Sequence, residues 1–218
     1  MPILLLFSSP DNGGTEIGYN RGVKDKGGPK MDLNQWFDKG MTWQAYVDDM
    51  KVNREGLQKI YDQYHLPEED LSFYEGLAGE KLRAVVLTAD WCGDAMLCLP
   101  ILKRIGETAG IQMRYLIRDE NLELMDQYLT NGKSRSIPIF VFFDSQGNER
   151  AVWGPRSPEV QRLVDEMKAN MPAEGEPDFA EKQKELYRGF KKRLLEEPAL
   201  WETVNRSVRA RLQEKLGS

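Results

Sequence analysis

One cysteine of this 218-residue chain lies where a buried strand is predicted to turn into a helix. Ala84-Val85-Val86-Leu87 has the continuous apolar pattern of a strand covered on both faces, and residues 95–102 have the apolar pattern of a helix. Cys92 stands between them. A thiol at such a corner faces unpaired backbone N–H groups and the positive end of the helix dipole. Both favour a negatively charged sulfur, so the pattern predicts that Cys92 is a nucleophile.

The neighbours of Cys92 qualify this prediction. Asp94 places a carboxylate near the sulfur, which disfavours the thiolate and raises the pKa of the thiol. An acid in the first turn also stabilises a helix, by about 0.3–1 kcal/mol. The sequence leaves open which influence dominates at the sulfur. Trp91 either shields the sulfur and lines a substrate surface or only packs against the core.

Cys98 and His65 are predicted to play no chemical part. Six residues along a helix correspond to about 9 Å of rise, whereas a disulfide needs Cα atoms about 4.4–6.8 Å apart. A bridge between Cys92 and Cys98 would therefore require the first turns of the helix to unwind. Cys98, flanked by leucines, is interpreted as a small buried apolar residue. His65, the single histidine, is interpreted as a loop residue.

The surrounding pattern predicts the elements that position this corner. Thr42 is a plausible N-cap for a helical segment with a break near Asn53, and this segment ends before Pro67. Strands are predicted over 82–88, 111–117, 139–143 and 150–153, with a hairpin turn at 144–148. Further helices are predicted over 68–77, from Cys92 through Pro100, and over 121–129, 157–171, 178–197 and 198–216.

Composition excludes several function classes. The net charge of -5 gives no electrostatic reason to expect nucleic-acid or membrane binding. No apolar run approaches the roughly 20 residues of a spanning helix, and Ile3-Leu4-Leu5-Leu6-Phe7 is too short for a signal peptide. Two cysteines make no disulfide framework and favour a reducing, cytoplasmic setting. No cluster has metal-ligand spacing and no phosphate loop is present, so neither metal nor cofactor is predicted.

Four features follow one another in a recognisable order. They are Trp91-Cys92-Gly93 after a buried strand, Pro100 eight residues beyond the cysteine, Ile137-Pro138 before a strand, and Gly147 and Gly154 around the last hairpin. Over roughly residues 78–172 this order and spacing resembles the thioredoxin superfamily. The resemblance implies an α/β fold, a mixed sheet flanked by helices. Extra N-terminal and C-terminal helices would be added to it.

The chain is accordingly divided into four parts. Residues 1–30 are poor in patterned apolar residues and are expected to be a disordered leader, tag or upstream extension. Residues 31–77 are expected to supply helices packed on the core, 78–172 the thioredoxin-like domain, and 173–218 a C-terminal helical extension. The exposed face of the last helix is mildly basic, which fits a solvated surface or a surface for a partner.

The resemblance also implies a site. Pro138 would be a cis-proline packed against the reactive cysteine, and the backbone of Ile137 would turn toward Cys92 and pair with substrate backbone. The alternative is an ordinary trans proline that begins an edge strand. The expected substrate surface consists of Trp91, Gly93, Asp94, Ile137 and Pro138, around Cys92 as nucleophile.

The chain departs from the family pattern at three positions. Ala95 stands where the dithiol motif has its second cysteine, Asp94 where thioredoxins usually have proline, and Val86 where they have a buried acid. The resemblance is therefore closer to bacterial thioredoxin-like proteins with an altered corner. Without a second cysteine, a mixed disulfide on Cys92 must be resolved by an external thiol.

Two hypotheses follow. The first is a monothiol thiol-disulfide oxidoreductase in redox homeostasis, with a protein or low-molecular-weight disulfide as substrate and a low-molecular-weight thiol as resolving reductant. The second is a protein-binding module that keeps the fold without catalysis, using the added helices as its partner surface. The altered motif and the long helical additions favour the second hypothesis, and the position of Cys92 opposite Ile137-Pro138 favours the first.

Overall fold

A four-stranded mixed sheet in the order β2-β1-β3-β4 forms the centre of the fold. The computed structural model describes residues 32–173 and 175–217, so the expectation for residues 1–30 lies outside the described residues. The strands are β1 Arg83–Thr88, β2 Gln112–Ile117, β3 Ile139–Phe143 and β4 Glu149–Trp153. The helices are α1 Leu33–Lys39, α2 Trp43–Asp49, α3 Arg54–Gln63, α4 Glu68–Gly76, α5 Gly93–Ala109, α6 Leu122–Met125, α7 Pro158–Ala169, α8 Phe179–Glu196 and α9 Pro198–Leu216.

Strand β1 lies between one parallel and one antiparallel neighbour. It pairs in parallel with β2 and antiparallel with β3, so that Val86 faces Tyr115 on one side and Phe140 on the other. Strand β4 then pairs antiparallel with β3. All five residues of β3 are buried, as expected for a strand covered on both faces. The predicted mixed sheet flanked by helices is therefore confirmed.

Of the N-terminal helices, α1 and α2 pack against β2, and α3 and α4 pack against α5. The hydroxyl of Thr42 accepts a hydrogen bond from the backbone N–H of Ala45 at 3.2 Å, which confirms the predicted N-cap of α2. Asn53 has a left-handed backbone and separates α2 from α3, where the break was predicted. Helix α1 was not predicted, because only Leu33 and Phe37 of its seven residues are buried and so short a helix has little periodicity.

The two C-terminal helices pack very differently. Helix α9 lies against β4 and α5, and buries the predicted apolar stripe Leu200, Trp201, Val204, Val208 and Leu212. Helix α8 buries only Gln183 and Leu194 of its 18 residues. It crosses near the N-terminal end of α5 and is joined to α7 by a segment whose described residues are mostly exposed.

The helix predicted over 121–129 is shorter in the structure. Only Leu122–Met125 are α-helical, because Gln127 and Tyr128 donate their backbone hydrogen bonds three residues back, to Leu124 and Met125. Within the described ranges, none of the helices combines the length and apolar character needed to cross a membrane.

Candidate active site

The corner after β1 is held in place by the N-terminal helices. The carboxylate of Asp90 accepts hydrogen bonds from the backbone N–H groups of Lys51, at 2.7 Å, and Val52, at 3.1 Å. The side-chain amide of Asn53 donates to the carbonyl of Asp90 at 2.8 Å. Cys92 follows as the N-cap residue of α5, in an extended conformation. The predicted position of the thiol at the start of a helix is therefore confirmed.

The Ile137-Pro138 peptide lies beside this thiol. Its bond is cis, as the resemblance implies. The Sγ of Cys92 donates a hydrogen bond to the carbonyl oxygen of Ile137, with 3.4 Å between the two atoms. The structure thus brings together Cys92, Ile137 and Pro138, which are far apart in the chain.

Gly154 supports Pro138 from the neighbouring strand end. Its φ of +136° lies in a region that side chains with a Cβ rarely adopt, and a Cβ there would collide with the carbonyl oxygen of Pro138. The next peptide, Gly154-Pro155, is also cis, and the sequence did not predict it. Glycine is therefore required at position 154 by close approach of the two backbones.

Asp94 lies beneath the surface and pairs with Arg156. The side chains are 4% and 9% exposed, and both Nε and Nη2 of the arginine donate to the same oxygen, Oδ2, at 2.9 and 2.6 Å. The Nη1 of Arg156 donates to Gln161 at 2.9 Å. The other carboxylate oxygen of Asp94, Oδ1, is buried and has no hydrogen-bond partner among residues 32–173 and 175–217. Sequence reasoning missed Arg156, because its partner Asp94 lies 62 residues away and its burial is known only from the structure.

The surroundings of Cys92 keep it protonated. The residue is 2% exposed, and burial, followed by the negative charge of Asp94, raises the pKa of its thiol. The backbone N–H groups of Ala95 and Asp94 and the charge of Arg156 oppose this rise, and the pKa that results is about 12. The influence that the sequence left open is thus decided in this state: burial and Asp94 outweigh the helix terminus.

Helix α8 covers this corner. A Cβ placed on Gly93 would lie 3.7 Å from the hydroxyl oxygen of Tyr187 and 3.9 Å from Cδ1 of Leu194. Burial raises the pKa of Tyr187, and the negative charges that Cys92 and Asp94 can hold raise it further. Tyr187 was not predicted as a site residue. Its spacing to Phe190 and Leu194 is that of one helix face, but the sequence does not say against what this face packs.

Trp91 and Cys98 occupy contrasting positions. Trp91 is partly buried, and the guanidinium of Arg118 lies 4.8 Å from its ring centre. Cys98 is fully buried, and its Sγ donates to the carbonyl of Pro155 at 3.8 Å. Burial raises the pKa of Cys98 well above its ordinary value, and both cysteines are free. The prediction of Cys98 as a small buried residue is confirmed.

His65 is exposed in the connection between α3 and α4, as predicted. Across the part of the chain that the structure describes, no group of three or more histidine, cysteine, aspartate or glutamate side chains is arranged to hold a metal ion.

Comparison with known proteins identifies the family. A thioredoxin family model matches residues 40–168, which is more than half of the chain. The chain therefore belongs to the thioredoxin superfamily. No match was found among curated proteins.

Two solved structures share the fold. One is a protein of unknown function from Pseudomonas aeruginosa, with a TM-score of 0.56 and 15% identity, over 85% of this chain and 99% of that one. The other is an HIV epitope scaffold, with a TM-score of 0.51 and 14% identity, over 81% of this chain and 99% of that one. At these identities the likeness concerns the fold alone.

Proposed function

We propose that the protein is a monothiol thiol-disulfide oxidoreductase that uses Cys92 as its nucleophile. The observation that carries the proposal is the thiol of Cys92 at the N-terminus of α5, 3.4 Å from the carbonyl oxygen of Ile137 and beside cis-Pro138. Backbone N–H groups at that end of the helix favour the thiolate once solvent or substrate replaces the cover. The altered corner, with Ala95 in place of a second cysteine, makes the mechanism a monothiol one.

The proposed cycle has two exchanges. The sulfur of Cys92 attacks one sulfur of a protein or low-molecular-weight disulfide, the S–S bond breaks, and one thiol leaves. Cys92 is thereby oxidised to a mixed disulfide. A low-molecular-weight thiol then attacks the substrate sulfur of this mixed disulfide. Cys92 returns to the thiol form, and the attacking thiol leaves as a new disulfide with the substrate half that was bound to Cys92. A reducing, cytoplasmic setting supplies such a thiol, and the two free cysteines fit that setting.

The cycle needs helix α8 to move. A disulfide cannot reach a residue that is 2% exposed, and Tyr187 and Leu194 of α8 lie against the next residue, Gly93. Leu194 is the only fully buried apolar side chain of α8, and its burial contributes about 1.5–3 kcal/mol. The partly buried Phe190 and Leu195 of α8 add to this free energy. The cycle therefore requires an open state of low population that a substrate selects.

The burial of Cys92 also supports the second candidate, a protein-binding module without catalysis. A thiol with a pKa raised to about 12 is a poor nucleophile at neutral pH. In that case α8 is a permanent part of the fold, and Cys92 is a buried structural residue like Cys98.

Turnover of a mixed disulfide separates the two candidates. We would measure reduction of the 2-hydroxyethyl disulfide by glutathione with the native protein, Cys92→Ser and Cys98→Ser. The oxidoreductase proposal expects turnover with the native protein and Cys98→Ser, and none above background with Cys92→Ser. Equal background rates for all three proteins would leave the binding module as the function.

A further inference from the structure

Arg118 is a buried cation beside Trp91, the residue that precedes Cys92. Its side chain is 7% exposed, and its guanidinium lies 4.8 Å from the centre of the Trp91 ring. A guanidinium over an indole face is attracted by the ring quadrupole, and burial strengthens this attraction. Arg118 directly follows β2, so it contacts the Trp91 ring from a segment that is not part of the corner.

The same guanidinium contacts the segment on the other side of the sulfur. Nη1 of Arg118 donates a hydrogen bond to the carbonyl oxygen of Arg135, at 3.2 Å. Arg135 stands two residues before Ile137, whose carbonyl oxygen accepts the hydrogen bond from Cys92. One side chain therefore connects the two segments that meet at the thiol, one through Trp91 and the other through Arg135.

Ion pairs fix the orientation of Arg118 and of Arg135. Nε of Arg118 donates to Oδ1 of Asp119 at 2.9 Å, and Nη2 lies 2.8 Å from the same oxygen. The side chain of Asp119 is 55% exposed, so water still solvates the carboxylate that balances the buried charge. Asp126 accepts hydrogen bonds from Nε of Arg135 at 2.6 Å and from its Nη2 at 2.8 Å. Because a guanidinium presents its donors in a rigid, planar fork, Arg118 sets how far apart its partners lie.

Trp91 and the backbone of Ile137 both belong to the expected substrate surface. A peptide disulfide can use both, because its backbone can pair at Ile137 while its side chains contact the indole ring. A small disulfide has no peptide backbone to pair and needs only the sulfur. The separation between Trp91 and Ile137 therefore matters for a peptide disulfide and not for a small one.

We propose that Arg118 is a positioning residue, which holds Trp91 and the backbone before Ile137 at a fixed separation and so favours peptide disulfides over small ones. This inference rests on the proposed function, because it concerns the disulfide that Cys92 attacks. Arg118 acts through Trp91 and the carbonyl of Arg135, not on the sulfur. Sequence reasoning missed it because both contacts join segments that are distant in the chain.

Two mixed disulfides with the same leaving group test this role. One is a short unstructured peptide whose single cysteine carries thionitrobenzoate, and the other is 2-mercaptoethanol carrying thionitrobenzoate. Cys92 loses its proton to solvent and attacks the peptide or mercaptoethanol sulfur, and the S–S bond breaks with its electron pair on thionitrobenzoate. Cys92 is oxidised to a mixed disulfide, and thionitrobenzoate is reduced and leaves as a coloured thiolate.

The measured quantity is the ratio of the peptide rate to the mercaptoethanol rate, in single turnovers of the full chain at pH 7. Both substrates need the same thiol and the same movement of α8, so the ratio removes these two contributions. We expect this ratio to exceed one for the native protein.

Arg118→Met should lower the ratio, because methionine keeps an unbranched apolar side chain but removes the charge and the donors. The peptide rate should fall at least about fivefold, the size expected when one cation–π contact and one hydrogen bond are lost together. The mercaptoethanol rate should stay within about twofold of the native rate, since this substrate uses neither Trp91 nor the backbone at Ile137. Arg118→Lys keeps the charge without the fork, so its ratio should lie between the other two. It decides the question where Arg118→Met does not fold.

Substitution of Trp91 tests the path of the effect. In a Trp91→Ala background the contact between Arg118 and the indole ring is already absent. Arg118→Met should therefore lower the peptide rate by a smaller factor there than in the native background. Equal factors in the two backgrounds would show that Arg118 does not act through Trp91, and would overturn the proposal.

Arg104→Met is the matched control. The guanidinium of Arg104 lies 3.9 Å from the centre of the Tyr61 ring, and it donates to the carbonyl oxygen of Tyr61 at 2.8 and 3.1 Å. Twelve residues of α5 separate Arg104 from Cys92, which corresponds to about 18 Å of helix. This variant loses the same two kinds of contact away from the site, so its ratio should equal the native one.

The remaining outcomes separate this inference from the proposed function. Arg118 has no positioning role if the native ratio is one, if neither substitution at Arg118 shifts the ratio, or if Arg104→Met shifts it equally. In each of these cases the oxidoreductase proposal stands. If the native protein reacts no faster than Cys92→Ser with either disulfide, the proposed function itself fails, and this inference fails with it.

Discussion

The thiol of Cys92 and the carbonyl oxygen of Ile137 lie 3.4 Å apart, although 45 residues separate them in the chain. This contact joins the start of helix α5 to the peptide before β3. It gives a resting thiol proton a defined acceptor, and it places a backbone edge beside the sulfur where an extended substrate would pair. The site is therefore built from two separate connections of one sheet, and the cover over it comes from a third part of the chain.

The raised pKa of Cys92 predicts a pH dependence of stability. The folded thiol has a pKa of about 12 and the unfolded one about 9, so the stability that the folded thiol contributes is present below pH 9. It is lost as the pH rises from about 9 toward 12, because the unfolded state releases its proton first. Relative to Cys92→Ala, the native protein should lose at most about 1.4 kcal/mol of unfolding free energy per pH unit in this window. Urea unfolding between pH 7 and 10.5 measures it; parallel curves for the two proteins would contradict it.

Because helix α8 covers the corner that carries Cys92, we predict that Leu194 of α8 controls the access of reagents to the Cys92 thiol. We expect Leu194→Ala to raise the rate of Cys92 alkylation by iodoacetamide at least about tenfold, because truncating a fully buried leucine costs about 2–5 kcal/mol. Mass spectrometry of the peptide containing Cys92 gives the rate.

Leu212→Ala is the matched control for this prediction. Leu212 is also fully buried, but it lies on α9 and serves the core. It should destabilise the protein to a similar extent and leave Cys92 alkylation near the native rate. Equal acceleration by the two variants would mean that global unfolding, not movement of α8, exposes the thiol.

Gly154 is predicted to tolerate no side chain. Gly154→Ala puts a Cβ against the carbonyl oxygen of Pro138 at a φ of +136°, so we expect a loss of about 2 kcal/mol or more in unfolding free energy. Gly189→Ala in α8 is the control, because a Cβ there meets nothing within 4 Å. It should be neutral, or stabilising by up to about 1 kcal/mol. Chemical denaturation compares them, and an equal effect at both positions would refute the close-approach argument.

The side chain of Asp70, which belongs to α4, is predicted to stabilise the packing of α9 against α4. It is buried and accepts hydrogen bonds from Nδ2 of Asn205 and from the guanidinium of Arg209. Asp70→Ala leaves these donors without their acceptor, and we expect it to cost about 3–5 kcal/mol. The exposed Asp62, whose one hydrogen-bond partner among the described residues is Gln58, should cost less than about 0.5 kcal/mol when replaced by alanine. Thermal unfolding checks both, and a cost at Asp70 as small as that at Asp62 would exclude this role.

Much of the fold could be predicted because its signals are local. The side chain of Thr42 caps its helix by a hydrogen bond to a backbone group three residues further on, and the left-handed backbone of Asn53 separates two helices. The apolar run that ends at Thr88 is predicted to be a strand from its own residue types. The cis peptide before Pro138 and the turn of Ile137 toward Cys92 were implied by the family pattern rather than by spacing. They are confirmed in the structure.

The rest of the site depends on contacts between distant segments. Arg156 reaches Asp94 across 62 residues, and Tyr187 reaches the corner from a helix whose own pattern shows only that one side is apolar. The local sequence pattern therefore favoured a thiolate at Cys92, because this residue lies at the N-terminus of a helix. In the structure, burial and the charge of Asp94 raise the pKa of this thiol instead. No pattern within one segment carries that information.

The hydrogen bonds from Lys51 and Val52 to Asp90 limit where the chain can be truncated. Sequence patterning divides the chain near residue 77, yet the carboxylate two positions before the cysteine finds its donors on the far side of that boundary. A fragment trimmed to residues 78–172 would keep strands β1 to β4 and lose the donors that fix the loop carrying Cys92. Such a fragment would be a poor surrogate for the whole protein, and its reactivity would report a loosened loop instead of the native one.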